Sequence, residues 1–205
     1  MSAPRITAIT PTCPNRPSLA RAVGAIRQQL GPDDRQIIVG DGPVPAARDL
    51  VAALADPRIS YVEGPHTHFW GYAQREYGMK LANLGHYLFW ADDDNLVRPN
   101  CFTELRKAMA EFPGRPVCYY MVNREGFVYN FEQFQKGLIG GPMFVCPNFP
   151  DRLGSFNTGR YESDFDFITS TLKKGWPQSV WVRQVLMEID GARERNPNPG
   201  PGHVG

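Results

Sequence analysis

Residues 87–95, Tyr-Leu-Phe-Trp-Ala-Asp-Asp-Asp-Asn, decide how this chain is read. The apolar run is too short for a helix and rich in aromatic residues, so it is expected to be a buried strand. It runs straight into Asp92, Asp93 and Asp94. Neighbouring carboxylates raise one another's pKa and destabilise the folded chain unless something positive lies near. A hard divalent cation relieves that repulsion and prefers oxygen ligands. The plain alternative is a solvated turn capping a helix, since Asn95 and Pro99 precede a helical pattern. The strand before the triplet and the sheet edge around it weigh against that alternative.

Working upstream, strand-like and helix-like segments alternate. Arg5 to Thr10 is a β-branched apolar run ending at Pro11. Leu19, Ala22, Val23, Ile26 and Leu30 then recur at helical spacing after Pro17 and Ser18. Gln36 to Val39 reads as a second strand, followed by a helix from Ala46 to Leu54 and a third strand from Ile59 to Val62. A helix over Tyr72 to Leu84 leads to the strand of the opening motif, and Pro99 starts another helix with Phe102, Leu105 and Met109. This order is the mark of an α/β domain with a mostly parallel central sheet flanked by helices.

The rhythm changes after residue 115. Val117 to Val122 and Phe127 to Phe131 are expected as strands around a turn at Arg124–Gly126, forming a small antiparallel extension. Met143 to Cys146 is a further short strand, Ser163 to Lys174 a helix stopped by Gly175, and Val180 to Ile189 a last strand. Residues 1–190 are expected to form one domain. Residues 191–205, rich in Gly, Pro, Asn and Arg, are either disordered or a lid that orders on binding.

The chain has 205 residues with 42% hydrophobic and 21% charged, ordinary for a globular protein. The formal charge is +1 and its basic residues are scattered, which argues against a nucleic-acid partner. Cys13, Cys101, Cys118 and Cys146 lie far apart, implying neither zinc ribbon nor disulfide framework; Cys13 is expected to be a small buried thiol. A reducing, cytoplasmic setting is expected. No stretch approaches the roughly 18 apolar residues of a membrane span.

Ligands of an open parallel sheet bind beyond the carboxyl ends of its strands. That edge would carry Pro11, Thr12 and Arg16 after the first strand, Asp41 after the second, and Asp92 to Asn95 after the fourth. There is no Gly-x-Gly-x-x-Gly after the first strand and no Gly-Lys-Ser/Thr loop, so a phosphate ligand would be neutralised by metal instead. Magnesium and manganese keep positions open for phosphate oxygens, making a metal-bridged diphosphate the natural ligand.

These residues resemble the family 2 inverting glycosyltransferases of the GT-A fold, over roughly residues 5 to 180. The resemblance is carried by Ile-Thr-Ala-Ile-Thr-Pro-Thr (6–12) with Asn15, Arg16 and Leu19, by Ile-Ile-Val-Gly-Asp-Gly (37–42), by Gly71 to Gly78 with Arg75, and by the opening motif with Pro99. It implies that Thr12 and Asp41 hold the nucleobase and that Arg16 lies near the nucleotide. Arg75 belongs to the helix leading to the donor site. Asp92 and Asp94 match the acids of the family's D-x-D motif, with Asp94 the main ligand of Mn2+ or Mg2+, Asp92 its partner toward the nucleotide and Asp93 in the variable position. Asn95 stands where the family often has another Asp. The donor implied is a nucleoside-diphosphate sugar, UDP-linked, and the acceptor a saccharide or glycoconjugate.

The family's base lies in a Glu-Asp pair opening a late helix. Spacing back from Gly175 puts Ser163 at the Glu position and Asp164 at the Asp position, with Glu162 the substitute if the register slips. His203 is a further metal candidate, since some GT-A enzymes complete the metal site with a histidine near the C-terminus. His66, His68 and Trp70 either line the donor pocket or belong to a solvated loop; Phe69, Trp70 or Tyr161 would suit sugar stacking. Trp176, Trp181 and His86 are expected in the packed interior. Two rivals are a nucleotidyltransferase, which normally has a Gly-rich basic loop where this chain has Pro-Thr-Cys-Pro-Asn-Arg, and a non-catalytic nucleotide-sugar or carbohydrate-binding relative.

Overall fold

The computed structural model describes residues 3–67, 71–156 and 162–189. Its first half follows the expected alternation. Strands β1 (Ile6–Thr12), β2 (Arg35–Asp41), β3 (Ile59–Gly64) and β4 (Tyr87–Trp90) are separated by helices α1 (Leu19–Arg27), α2 (Pro45–Leu54) and α3 (Tyr72–Leu81). The four strands pair in parallel in the order β3-β2-β1-β4. β1 is buried along its whole length and β2 along all but its ends, so neither alternates apolar with exposed polar residues, and Thr7, Thr10 and Gln36 within them are buried.

The pairing of β1 is uneven, and that unevenness makes the mouth of the site. β1 stays with β2 as far as Thr12↔Gly40, whereas its pairing with β4 ends at Ile9↔Trp90. The chain builds outward from β1 to β3 and then crosses back to β4. The gap between β1 and β4 is therefore the reversal point of the sheet, where ligands of such folds bind. The Ile9 carbonyl accepts from the Ala91 N–H, so odd-numbered residues of β1 face β4. The missing N–H of Pro11 thus falls on the side where β4 has already ended, and a proline is tolerated there.

The second half comprises β5 (Asn95–Val97), α4 (Cys101–Glu111), β6 (Val117–Val122), β7 (Val128–Tyr129), β8 (Phe144–Pro147), α5 (Ser163–Leu172) and β9 (Val180–Ile189). The sheet continues β8-β6-β9-β5, with β7 hydrogen-bonded to β6. β8 is antiparallel to both β4 and β6, so β6 points the same way as β4.

Several expectations need correction. β5 was not anticipated; three residues give no periodic signal, and the strand exists only because it pairs with β9 from Asn95↔Ile189 to Val97↔Met187. The strand expected over 127–131 shrinks to Val128–Tyr129, because only those residues find partners on β6. α3 stops at Leu81, three residues early, as Ala82 turns to an extended conformation. Cys13 is half-buried, and its Sγ accepts from Arg16 Nε at 3.2 Å.

Interior packing under the gap is aromatic. Phe156 stacks on Phe167 at 4.0 Å between centroids, and Trp90 meets both edge-on. His86 is buried as expected, with Nδ1 3.0 Å from Thr7 Oγ1, and Trp176 is buried with its Nε1 donating to the Arg152 carbonyl. Trp181 is half-buried against Phe134. Among the described residues, no helix is long and apolar enough to cross a membrane.

Candidate active site

Helix α3 approaches the strand ends closely because two of its positions carry no side chain. Gly71 caps it at φ 74°, and a Cβ there would come within 2.8 Å of Pro11. At Gly78 a Cβ would lie 2.6 Å from Ile9 Cγ2, so the helix rests directly on β1. That contact turns Gln74 and Arg75 inward, and both are buried.

Arg75 is the centre of the arrangement. It is 3% exposed, and its Nη2 contacts Asp92 Oδ1 just past the end of β4. On its other side Nη1 lies 4.0 Å from Asp164 Oδ1 at the start of α5. The guanidinium packs over the rings of Tyr72 and Phe156, 5.7 and 5.9 Å from their centroids. Burial works against its charge, but Asp92 and Asp164 more than offset that, and its pKa is raised. One buried cation therefore joins the acidic motif to the candidate base across 72 residues of sequence.

Asp164 accepts a hydrogen bond from the Gly141 N–H at 3.0 Å through Oδ2. Its Oδ1 is buried and has no hydrogen-bond partner among the described residues. Burial raises its pKa despite Arg75. The other candidate, Glu162, is held differently: Lys136 Nζ lies 2.7 Å from its carboxylate.

The three aspartates are not equivalent. Asp93, expected to fill a variable position, is 5% exposed and takes the Thr12 hydroxyl on Oδ2 at 2.7 Å, with Arg16 Nε at 3.5 Å. It ties the loop after β1 to the loop after β4. Burial raises its pKa to about 6, against the pull of Arg16 and Thr12. Thr12, expected at the nucleobase, is itself buried and spends its hydroxyl on this tie. Asp94 is half-buried; burial first, then Asp92 and Asp93, raise its pKa to about 7, while Arg16 acts on it only from beyond ion-pair distance. Asp92 is thus compensated by Arg75 and Asp93 by Arg16. Asp94 has no ion-pair partner among the described residues.

At the end of β2, Asp41 Oδ1 accepts from the Thr67 N–H at 2.6 Å and from Gln74 Nε2 at 2.9 Å. The His66 ring sits 2.9 Å from the Asp41 carbonyl. Thr12, Arg16, Asp41, Arg75, Asp92, Asp93 and Asp164 thus fall into three clusters, with neighbouring Gln74 and Arg75 serving two of them and Asp94 next to Asp93 in the chain. His203, His68, Phe69, Trp70 and Tyr161 lie outside the described residues. Sequence reasoning missed Gln74 and the Gly141 amide. Two adjacent long polar residues in a glycine-flanked helix without a clean apolar stripe were the available signal for Gln74; Gly141 offered none, because its contact is made by backbone.

Carboxylates are hard oxygen donors, and an uncompensated, half-buried Asp94 beside Asp92 suits a divalent cation. Among the described residues, no group of three or more His, Cys, Asp or Glu could hold a metal by itself. A cation there would complete its shell with ligand oxygens, water or residues outside the described set.

Comparisons with known proteins bear on the whole arrangement. Crystal structures of S. aureus TarS, as the 1–349 fragment, superpose with a TM-score of 0.72 at 11% identity, covering 91% of this chain and 60% of that one. The same fragment in complex with UDP-GlcNAc gives a TM-score of 0.70 at 11% identity, over 91% of this chain and 58% of that one. The mannosyltransferase PcManGT from Pyrobaculum calidifontis, in complex with GDP-Man and Mn2+, gives 0.72 at 18% identity, over 95% and 59%. The chain thus spans under two thirds of these proteins, and the shared fold is GT-A. No curated protein matches the chain by sequence. The sequence profile described as glycosyl transferase family 2 matches residues 7–165, from β1 through the acidic triplet to the start of α5. With that profile covering most of the chain, the protein belongs to glycosyl transferase family 2.

Proposed function

We propose that the protein is a metal-dependent inverting glycosyltransferase, moving a sugar from a nucleoside-diphosphate donor, UDP-linked, to an acceptor hydroxyl of a saccharide or glycoconjugate. The observation that carries this reading is the division of labour among the acids. Two of the three aspartates after β4 have their own arginines, while Asp94 has none among the described residues and sits with a raised pKa. Asp94 and Asp92 are the residues that would hold Mn2+ or Mg2+, and the cation would supply charge neutralisation for the departing diphosphate. That PcManGT was solved with GDP-Man and Mn2+, and the TarS fragment with UDP-GlcNAc, supports a sugar nucleotide as donor.

Asp164 is the proposed base. Inversion requires one carboxylate to accept the proton of the acceptor hydroxyl as its oxygen attacks the anomeric carbon. Asp164 Oδ1 is a buried acceptor without a hydrogen-bond donor among the described residues, and its raised pKa strengthens it as a proton acceptor. Arg75, 4.0 Å away, keeps the carboxylate ionised and oriented. Asp41, with Gln74 fixing one of its oxygens, stands at the β2 end as the nucleobase contact. Asp93, Thr12 and Arg16 tie the loops after β1 and β4 together.

The test is a thermal-shift titration with UDP, GDP and their sugars, with and without Mn2+. Binding to the native state alone raises apparent stability by RT ln(1 + [L]/Kd), about 2.7 kcal/mol at a hundredfold excess over Kd. A UDP shift that requires Mn2+ and disappears in Asp94→Asn is the expected result. A shift that ignores Mn2+, or one that survives the substitution unchanged, would remove the metal role.

A further inference from the structure

Two phenylalanines stand exposed on either side of a half-buried tyrosine, where buried rings are the rule. Phe127 is 49% and Phe131 37% exposed, and Tyr129 between them is half-buried against the interior. Phe127 meets Tyr129 edge-on at 5.0 Å and lies 6.3 Å from Phe131, so the three form one strip. The spacing of two residues puts them on the same side of an extended chain.

The strip is held firmly. Phe127 sits on a turn closed by its own N–H to Asn123 Oδ1 at 2.8 Å and by the Asn123 N–H to its carbonyl at 3.0 Å. After Phe131 the chain is fixed at Glu132, which takes both a two-pronged ion pair from Arg183 and the Tyr120 hydroxyl. Rings ordered in advance cost little entropy to engage a ligand.

Its location follows from the topology. β6 points the same way as β4, so the hairpin that follows Val122 leaves the same edge of the sheet as Asp92, Asp93 and Asp94. From the strip the chain returns directly to α5: Lys136 pairs with Glu162, and the Gly141 N–H holds Asp164. The segment that carries the rings is mixed in charge, with Arg124, Glu125, Glu132 and Lys136 along it and Arg183 paired to Glu132. Neither a strongly acidic nor a strongly basic partner is selected. Aromatic faces rimmed by polar groups of both signs match a neutral sugar ring, which offers C–H edges to the rings and hydroxyls to the rim.

We infer that the Phe127–Tyr129–Phe131 strip is a saccharide-binding subsite that seats an acceptor glycan beside Asp164, an inference that rests on the transferase reading above. It names carbohydrate, rather than lipid or polypeptide, as the acceptor chemistry on this face.

The test compares wild type with Phe127→Ser/Phe131→Ser on an array of neutral oligosaccharides of glucose, N-acetylglucosamine, mannose, galactose and rhamnose. Melting temperature and the UDP-induced shift are measured in parallel to confirm folding and an intact donor site. Wild-type binding to at least one oligosaccharide class is expected, weakened about tenfold or more in the double variant, the loss of roughly one ring-stacking contact. An array on which wild type binds nothing overturns the inference, as does a variant that binds as well as wild type. Binding instead to phosphatidylglycerol vesicles that depends on the two phenylalanines also overturns it, in favour of a membrane surface. A missing UDP shift in wild type counts against the transferase reading alone, because loss of array binding on substitution would still identify the subsite.

Discussion

Replacing Arg75 with methionine tests the central claim that one buried cation holds two acidic elements together. Methionine keeps the apolar stem but removes the guanidinium, with its charge and its place over the Tyr72 and Phe156 rings. Two carboxylates then face each other with no cation between them. Removing one partner of a buried pair costs about 3–5 kcal/mol, because it strands a charge. Here the Asp92 and Asp164 side chains retain 31% and 23% exposure, so solvent screens part of the repulsion and the lower end of that range, about 3 kcal/mol, is expected. In a domain of this size that is a drop in Tm of roughly 6–12 °C. The sign of the pH dependence follows. Without Arg75 the pull that lowers the folded-state pKa of Asp164 is lost and burial raises it further, so protonation relieves the penalty. The deficit is therefore largest at pH 8 and shrinks toward pH 5. Urea unfolding of both proteins at pH 8 and pH 5, followed by tryptophan fluorescence, measures it. A deficit below about 1 kcal/mol at pH 8, or one equal at both pH values, refutes the reasoning.

Two further outcomes follow from other contacts. Asp94→Asn is expected to stabilise the metal-free protein by about 1–2 kcal/mol at pH 8 and by nothing measurable near pH 4. The folded pKa of Asp94 is raised to about 7, so its ionised form carries a penalty that is absent below the unfolded value and complete above 7; equal Tm values for variant and wild type at pH 8 would count against it. Gly78→Ala is expected to cost about 1–3 kcal/mol by pushing α3 off Ile9, although alanine is the better helix former by about 1 kcal/mol. A neutral or stabilising result in a denaturant titration would mean that the close approach at 2.6 Å relaxes freely.

Much of the site was legible because the sequence places acids at strand ends. Asp41, Asp92, Asp93 and Asp94 follow buried apolar runs, and parallel topology sends such ends to one edge. What stayed hidden is what depends on partners distant in sequence. Asp93 looked like a filler, since nothing local reveals that Thr12, 81 residues earlier, donates to it. β5 has no apolar period and owes its existence to β9. Arg75 was visible as part of a helix leading to the donor site, but its bridge to Asp164 depends on α5 docking beside α3. The strip of Phe127, Tyr129 and Phe131 was read as strand from its aromatic content, whereas of the three only Tyr129 finds a ladder partner and the outer rings are left facing solvent.

β8 has a consequence for how the chain assembles. It meets β4 through Tyr87↔Pro147 and Leu88↔Cys146, and β6 through Val117↔Val145 and Cys118↔Phe144. The two halves of the sheet are sewn together by four residues that are synthesised more than fifty positions after β4. On the ribosome, the N-terminal parallel half has all its own strands in hand while the outer edge of β4, ending in Trp90, still has no neighbour. An open apolar edge of that kind invites intermolecular pairing. The nascent chain is exposed to aggregation from the emergence of β4 until the seam closes, and α5 can bring Asp164 to Arg75 only after that closure.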